Sequence, residues 1–469
     1  MSDMFSLAHS NRWWNSGTVD SEFQYKTVRS EFNKIVEKID NERALLIVGP
    51  RRVGKSTLMY QTISHLLVSG VDPKSILFFS CDDPVLFNGK TTIGDILETY
   101  ANEILHKNLF ALDEKIYVFI DEIHTFKTWQ AWIKSYYDKK CKIKFVVSGS
   151  SSAHLFDGAS ESLLGRHESI KVMPLSFIQF CEFWAAYRED EKISDFIKLL
   201  PSGSLFESAE DYLTKLQIKI YLLDEFKPYV NKVLEEYLLV GGYPEYFTVN
   251  NTTLWQKRIV EDIVGQGLYR DIVSLYRINS PIKLEKLLYF IAEQTGQATN
   301  LKTIGDTIGL DNETVSVYID YLSKAYLTVL LDNYSSNMGK IIRKDKTLYV
   351  LDNGIANAMQ RLRETSETRT GHLIEALCVR NALAVCEDNY WGLYYWREGN
   401  KEVDIVIDSI SSLIPVEVKY RNNPLHDMGG LKAFCDKFSA RKVSTPLMIT
   451  KNNFLVSESL NAVPFIFAK

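Results

Sequence analysis

The sequence predicts an α/β protein whose amino-terminal part is a parallel, doubly wound sheet. Three observations carry this reading. Short apolar runs alternate with amphipathic helical stretches through the amino-terminal third of the chain. The first run, Ala44-Leu45-Leu46-Ile47-Val48, leads directly into Gly49-Pro50-Arg51-Arg52-Val53-Gly54-Lys55-Ser56-Thr57, a G-x-x-x-x-G-K-S phosphate-cradling loop. A later run, Ile116–Ile120, ends in Asp121-Glu122, placing two acids at the carboxyl end of a strand, where such sheets bind their ligands.

Residues 20–43 read as an amphipathic helix ahead of the first strand, with Val28, Phe32, Ile35, Val36 and Ile39 on its apolar face. The helix after the phosphate loop carries Leu58, Met59, Ile63, Leu66 and Leu67. A strand at Ile76–Ser80, a helix near Ile93–His106, the acid-ended strand, a helix near Trp129–Lys139 and a strand at Lys144–Val147 follow. From Ser176 to Phe247 the pattern is helical and aromatic-rich, closing on Gly241-Gly242-Tyr243-Pro244-Glu245, and residues 252–278 continue as helix. A helix through Leu284, Leu287, Leu288 and Ile291, a short one at Thr303–Ile308, a turn at Gly309, a third helix after Asp311 and a strand at Tyr326–Leu331 describe a winged helix. The last segment mixes a strand at Leu348–Leu351, a helix at Gly371–Val385 and strands at Tyr394–Trp396, Val403–Ile407 and Ile414–Tyr420. The expected domains are 1–175, 176–278, 279–345 and 346–469.

The 469 residues suit about three domains of ordinary size, and the 46% apolar, 24% charged composition is that of a globular protein. No apolar run approaches the ~20 residues that span a bilayer, and Met1 to Trp14 has no signal pattern, so no membrane partner is expected. The six cysteines, Cys81, Cys141, Cys181, Cys378, Cys386 and Cys435, include no C-x-x-C pair and fit reduced thiols of a cytoplasmic protein. Net charge is −5, but Ser336–Lys469 holds 18 Lys+Arg against 15 Asp+Glu, leaving +3 there and −8 elsewhere. That asymmetry favours a polyanion near the carboxyl-terminal part.

The phosphate loop fixes a ligand, a cation and a reaction type together. Its glycines let backbone N–H groups turn inward onto phosphate oxygens, and the following helix offers its positive end. Lys55 supplies charge to the β- and γ-phosphates and Ser56 a hydroxyl for Mg2+. Asp121 would hold the same ion, and Glu122 would orient and polarise the attacking water. Ser148, ending the strand in Val147-Ser148-Gly149-Ser150-Ser151, is the candidate γ-phosphate sensor. The nucleotide-binding set is therefore Gly49, Pro50, Arg51, Arg52, Val53, Gly54, Lys55, Ser56, Thr57, Asp121 and Ser148, with ATP and Mg2+ as ligands. Arg166, in Gly165-Arg166, is the candidate finger reaching a neighbouring subunit's γ-phosphate.

A second cluster lies near the carboxyl end. Lys401-Glu402-Val403-Asp404 and Pro415-Val416-Glu417-Val418-Lys419 read as two strands of a hairpin. Glu417 and Lys419 share one strand face, and a symmetric turn at Ile410-Ser411 would set Asp404 opposite Glu417. With Glu375 from the preceding helix, these carboxylates suit Mg2+ or Mn2+, and Lys419 would orient a water or stabilise charge developing on phosphorus. The order helical Glu, strand Asp, strand E-x-K is that of restriction-endonuclease-like nucleases.

Taken together, G-P-R-R-V-G-K-S, F-I-D-E-I at Phe119–Ile123, V-S-G-S-S, G-R, P-L-S-F at Pro174–Phe177, G-G-Y-P-E, L-Y-V-L-D-N-G at Leu348–Gly354, G-H-L-I-E at Gly371–Glu375, W-R-E-G-N-K-E-V-D at Trp396–Asp404 and V-E-V-K at Val416–Lys419 stand in one order. In this the chain resembles, over nearly its full length, a prokaryotic family of AAA-type ATPases with a carboxyl-terminal restriction-endonuclease-like domain of unassigned function. The resemblance implies an ATPase core, a helical lid, a winged helix and a nuclease-like domain. AAA-type cores often form rings, so a homo-oligomer is expected.

Two functions follow as expectations. The first is an ATP-hydrolysing enzyme coupled to a DNA-acting, metal-dependent nuclease-like domain. The second is a nucleotide-switched binding or signalling protein on an inactive nuclease-like scaffold. The helix from Asp311 to Lys324 supports the second, because Asp311, Glu313 and Asp320 outnumber Lys324 on a would-be recognition helix. The basic run Lys340, Arg343, Lys344, Lys346 would serve as a wing instead.

Overall fold

The computed structural model describes residues 2–87, 91–126, 128–149, 165–273, 276, 278, 280–337 and 346–469. They form two compact units, Met1–Met173 and Pro174–Lys469, the first ending two residues short of the boundary expected at 175. Ser150, Ser151, Lys340, Arg343 and Lys344 lie outside the described residues.

Unit 1 is built on a parallel sheet of β1 (Ala44–Val48), β2 (Ile76–Ser80), β3 (Ile116–Asp121), β4 (Ile143–Gly149) and β5 (His167–Lys171), in the order β2-β3-β4-β1-β5. Every residue of β1 and β3 is buried, which is why both read as unbroken apolar runs. Strand β2 is an edge, and the chain covers it. Buried Asn11 imitates a neighbouring strand: its Oδ1 accepts from Phe78 N at 2.6 Å and its Nδ2 donates to Phe78 O at 2.7 Å. Trp13 and Trp14 both donate their indole N–H to Ile76 O. The open backbone groups of an edge strand are thereby satisfied from within the unit. Lys144 of β4 is buried, and its ammonium donates to Lys38 O, Asn41 O, Asn41 Oδ1 and Arg43 O, pinning the turn that enters β1.

The helix expected over 20–43 is shorter, a single turn at Ser21–Phe23 and then Glu31–Lys38. The intervening Tyr25, Thr27 and Val28 are aromatic or β-branched and weak helix formers, and Val28 is exposed. The helix near 93–106 is regular to Tyr100 and then widens into a π-helical turn at Ala101–Leu105. The stretch over 252–278 likewise starts as Thr252–Arg258 and continues as π-helical turns at Ile259–Gly265 and Gly267–Val273.

Unit 2 opens with the helices Phe177–Arg188, Glu191–Leu199, Ala209–Asp224 and Lys227–Val240. Phe180 packs its ring 4.9 Å from Tyr237 and 4.8 Å from Phe247, which accounts for the aromatic-rich pattern. Three further helices, Pro281–Glu293, Leu301–Ile308 and Asn312–Lys324, accompany β6 (Ala298–Thr299), β7 (Thr328–Asn333) and β8 (Lys346–Val350). The helix Glu367–Asn389 follows, then β9 (Gly392–Glu398), β10 (Lys401–Asp408), β11 (Leu413–Lys419), the helix Gly429–Lys437, β12 (Leu447–Thr450) and β13 (Asn461–Pro464).

These strands make one sheet, ordered β13-β12-β11-β10-β9-β7-β8-β6. This sheet runs across the boundary expected at 345/346. Strand β7 pairs antiparallel with β8 on one edge and parallel with β9 on the other, so the strand expected for the winged helix and the expected last domain share a ladder. Backbone groups on both edges of β7 need partners, and sequence periodicity carries no information about which strand supplies them. One face of the carboxyl-terminal part packs on Trp396, Val403, Val406, Leu431, Phe434 and Met448.

The motifs G-G-Y-P-E and L-D-N-G meet in the core of unit 2. Fully buried Asp352 accepts from Gly242 N at 2.7 Å and Gly354 N at 2.9 Å. Arg380 lies 3.6 Å from the same carboxylate and donates to Leu175 O and Tyr237 Oη. Gly241 has φ +78°, and a Cβ there would sit 2.0 Å from Asp352 Oδ1, so this position needs glycine twice over. Among the described residues, no helix is long and apolar enough to cross a membrane.

Candidate functional site

Two sites were expected, and each falls in one unit. In unit 1, β1 delivers the loop Gly49–Gly54 to the helix Lys55–Val68. Gly49 packs so closely on β5's extension that a Cβ would lie 2.1 Å from Val172 O. Gly54 sits at φ +100°, turning the chain into the helix. Lys55 is buried and folds over its own loop, donating to Gly49 O at 3.0 Å and Pro50 O at 2.9 Å. Arg51 and Thr57 are half-buried beside it and Arg52 is exposed at φ +61°.

Pairing of β1 with β4 and of β3 with β4 brings three side chains together at the carboxyl ends of the strands. Ser56 Oγ donates to Asp121 Oδ2 at 2.6 Å, and Ser148 Oγ donates to Asp121 Oδ1. Glu122 follows in the left-handed region at φ +49°, with its N–H on Asp121 Oδ1 and Ser148 Oγ. Its carboxylate lies 3.2 Å from His124 Nδ1. Burial raises the Glu122 pKa, against the lowering effect of Lys55's charge.

Arg166 does not line this loop. Its backbone oxygen accepts from Ala44 N, at the opposite end of β1, and its guanidinium pairs with Asp138 at 3.0 Å. A five-residue strand separates the two ends by about 13 Å.

One contributor was not legible. Buried Arg29 donates to Val53 O at 2.7 Å and to Met173 O at 2.6 Å, and it pairs with Glu31 at 2.9 Å. It holds the phosphate loop from behind. An isolated arginine 20 residues upstream of the loop carries no pattern that announces such a role.

In unit 2, the antiparallel register of β10 and β11 runs through Ile405↔Val416, and its continuation sets Asp404 opposite Glu417. The β9–β10 pairing shifts between Val403 and Val406, a bulge that re-aims Asp404. Asp404 Oδ2 accepts from Val418 N at 2.7 Å, and Lys419 Nζ meets Glu417 Oε1 at 2.6 Å. Glu417 Oε2 is buried and has no hydrogen-bond partner among the described residues. Glu375, on the helix Glu367–Asn389, accepts from Tyr349 Oη at 2.7 Å, a partner the sequence does not reveal.

Burial pushes Asp404 up to about 6, against the pull of Lys419. Burial and the Asp404 charge push Glu417 up to about 8. Glu375 is also raised, by burial and then by Asp404. Among the described residues, no group of three or more His, Cys, Asp and Glu side chains is placed to hold a metal ion. The metal cage expected from Glu375, Asp404 and Glu417 is thus not assembled. Without a cation the three carboxylates repel, Lys419 occupies one oxygen of Glu417, and Tyr349 occupies one of Glu375.

Residues 41–181 match the AAA domain family. Unit 1 has the AAA-type fold. The AAA-type unit is followed by matches to two domains of unknown function, DUF8612 over 231–366 and DUF4143 over 370–465. An uncharacterized protein of Methanocaldococcus jannaschii is 26% identical over 388 residues, covering 80% of this chain and 73% of that one. A second from the same organism is 24% identical, covering 86% and 80%. An uncharacterized protein of Haemophilus influenzae is 23% identical, covering 69% and 70%. Among solved structures, the Walker-type ATPase paby2304 of Pyrococcus abyssi aligns with TM-score 0.45 at 17% identity, covering 73% of this chain and 98% of that one. The ORC2 protein of Aeropyrum pernix aligns with TM-score 0.36 at 12% identity, covering 76% and 91%.

Proposed function

We propose that this protein hydrolyses ATP in its AAA-type unit and that this drives Mg2+-dependent phosphodiester cleavage of DNA in unit 2. The observation that carries the first half is the convergence of Ser56 and Ser148 on the two oxygens of Asp121 beside the Lys55 loop. Ser56 and Asp121 are the oxygen ligands a Mg2+ would take, and the ion would supply charge to the β- and γ-phosphates. Lys55, leaving Gly49 O and Pro50 O, binds the phosphates. Glu122 accepts a proton from the attacking water, and its raised pKa suits a general base. Arg166 acts across a subunit interface in a homo-oligomer.

For the second half, support comes from buried Glu417 Oε2, which has no hydrogen-bond partner among the described residues, facing the same cluster as Asp404. An oxygen buried without a hydrogen bond is costly, and a divalent cation would satisfy it. Asp404, Glu417 and Glu375 would have to draw together, with Lys419 and Tyr349 giving up their oxygens, to hold Mg2+ or Mn2+, which would then polarise the phosphodiester. Lys419 holds a water for in-line attack on phosphorus; the water passes its proton to solvent as the new P–O bond forms, and the leaving oxygen takes one up from solvent as its bond to phosphorus breaks. The helices before residue 278 serve as a lid, the three-helix part through Asn312–Lys324 as a winged helix, and the cytoplasm as the compartment.

One observation favours a nucleotide-switched binding protein with an inactive scaffold. Lys324 is tied to Asp320 at 3.1 Å, which leaves the helix Asn312–Lys324 an acidic surface, unsuited to phosphate backbone. The experiment that separates the readings is Mg2+- and Mn2+-dependent cleavage of DNA with and without ATP, comparing wild type with Asp404→Ala. Cleavage by wild type alone supports the nuclease, and no cleavage of any DNA supports the switch.

A further inference from the structure

A cleft of about 880 Å3 opens in unit 2 where β11 and β12 end. These strands run parallel, with Lys419 beside Thr450, so Tyr420 and Lys451 leave the sheet side by side. Lys451 Nζ lies 6.0 Å from the centre of the Tyr420 ring. The opposite wall is the helix Lys227–Val240, and the third is the segment 363–370 that starts the helix Glu367–Asn389.

Four cations line this space: Lys232, Arg363, Arg421 and Lys451. Lys232, Arg363 and Arg421 are exposed, and Arg421 is held by Asp427 at 2.6 Å. Four glutamates stand among them. Glu236 is engaged by Tyr246, and Glu235 lies close enough to Tyr420 to help burial raise its phenol to about 12. A wall of mixed sign cannot carry a continuous ladder of phosphates. It can hold a few phosphates at the cations while carboxylates accept from the amino groups of bases.

None of Glu375, Asp404, Glu417 and Lys419 lines the cleft, but two elements lead from one to the other. Tyr420 follows Lys419 directly in the chain. Thr368 on the cleft wall and Glu375 are seven residues apart on one helix, hence on one face and about 10 Å apart.

We infer that this cleft receives a single strand of nucleic acid, a few nucleotides long, flanking the phosphodiester presented to Asp404, Glu417 and Lys419. The inference rests on the cleavage reading for its direction and on the cleft for its substance. Its volume is that of a small-ligand pocket, room for a few nucleotides. Only an unpaired strand offers base edges to the glutamates and a π-face to Tyr420 while its phosphates meet the cations.

The test uses the full-length protein in EDTA, with a fluorescent 12-nucleotide single-stranded DNA and its duplex as probes in anisotropy titrations. Single-strand affinity should fall at least tenfold in the Arg363→Glu, Lys451→Glu double variant, with a shallower salt dependence, and survive in Arg363→Lys, Lys451→Arg. An unchanged thermal midpoint serves as the folding control. Equal single-strand affinity in wild type and the charge-reversed variant overturns the inference, as does tighter binding of the duplex. If binding responds as expected while wild type cleaves nothing in Mg2+ or Mn2+, the cleft stands and the cleavage reading falls. If Asp404→Ala abolishes cleavage while charge reversal in the cleft leaves binding intact, the cleft falls and the cleavage reading stands.

Discussion

The Arg29 guanidinium donates to the Val53 carbonyl at 2.7 Å, so the apex of the phosphate loop rests on a buried charge. Replacing Arg29 by Met removes the buried ion pair to Glu31 and the guanidinium's bonds to Val53 O and Met173 O. Breaking a buried pair costs about 3–5 kcal/mol. Arg29→Met is expected to lower the thermal midpoint and to weaken ATP binding at least tenfold, read by titration with a fluorescent ATP analogue. Unchanged affinity would remove Arg29 from the site.

Ser148 and Ser56 share Asp121. Ser148→Ala deletes one donor while Lys55 and the loop remain, so nucleotide binding should persist and phosphate release should slow, by about tenfold or more for one lost charge-assisted contact. Loss of binding with no separate loss of turnover would make Ser148 a structural prop instead. Glu122→Gln should trap bound ATP, detected as retained nucleotide after gel filtration.

Tyr349 occupies an oxygen of Glu375. Tyr349→Phe keeps the ring in the core and frees that oxygen. Mn2+ affinity, measured by isothermal titration, is expected to change in this variant. An identical isotherm would separate Glu375 from the metal-binding group.

Burial, reinforced by Lys115's charge, holds the Lys144 pKa down to about 8, against an ordinary 10.5. Between those values the unfolded chain binds more protons than the folded one, so this residue makes stability rise with pH. The difference in unfolding free energy between wild type and Lys144→Met should therefore grow from pH 8 to pH 10.5, followed by urea titration. A difference that is flat across this window contradicts the assignment.

Four of the five strands of unit 1 were legible because burial on both faces writes itself as apolar runs, and the G-x-x-x-x-G-K-S spacing is a direct record of backbone demands; β5, a mostly polar edge strand, was missed. Asp404 and Glu417 were legible because a two-residue loop tip at Ile410-Ser411 sets the hairpin register. Arg29, Asn11 and Tyr349 were not, since each acts through one or two long-range hydrogen bonds that leave no periodic trace. The β7–β9 pairing was hidden for the same reason: its partners lie some 60 residues apart, at Asp332↔Tyr394 and Asn333↔Tyr395. The metal cage was expected from residue types and hairpin register, which set Lys419 beside Glu417 but say nothing about the tyrosine that engages Glu375.

Strand β7, hydrogen-bonded on both edges, has a consequence for descent. The two matched domains of unknown function meet between residues 366 and 370, yet the β7–β9 ladder crosses that line. Recombination there would expose two raw edges, each a template for aggregation. The two matched stretches of unit 2 thus share one sheet, and each covers an edge the other would leave bare.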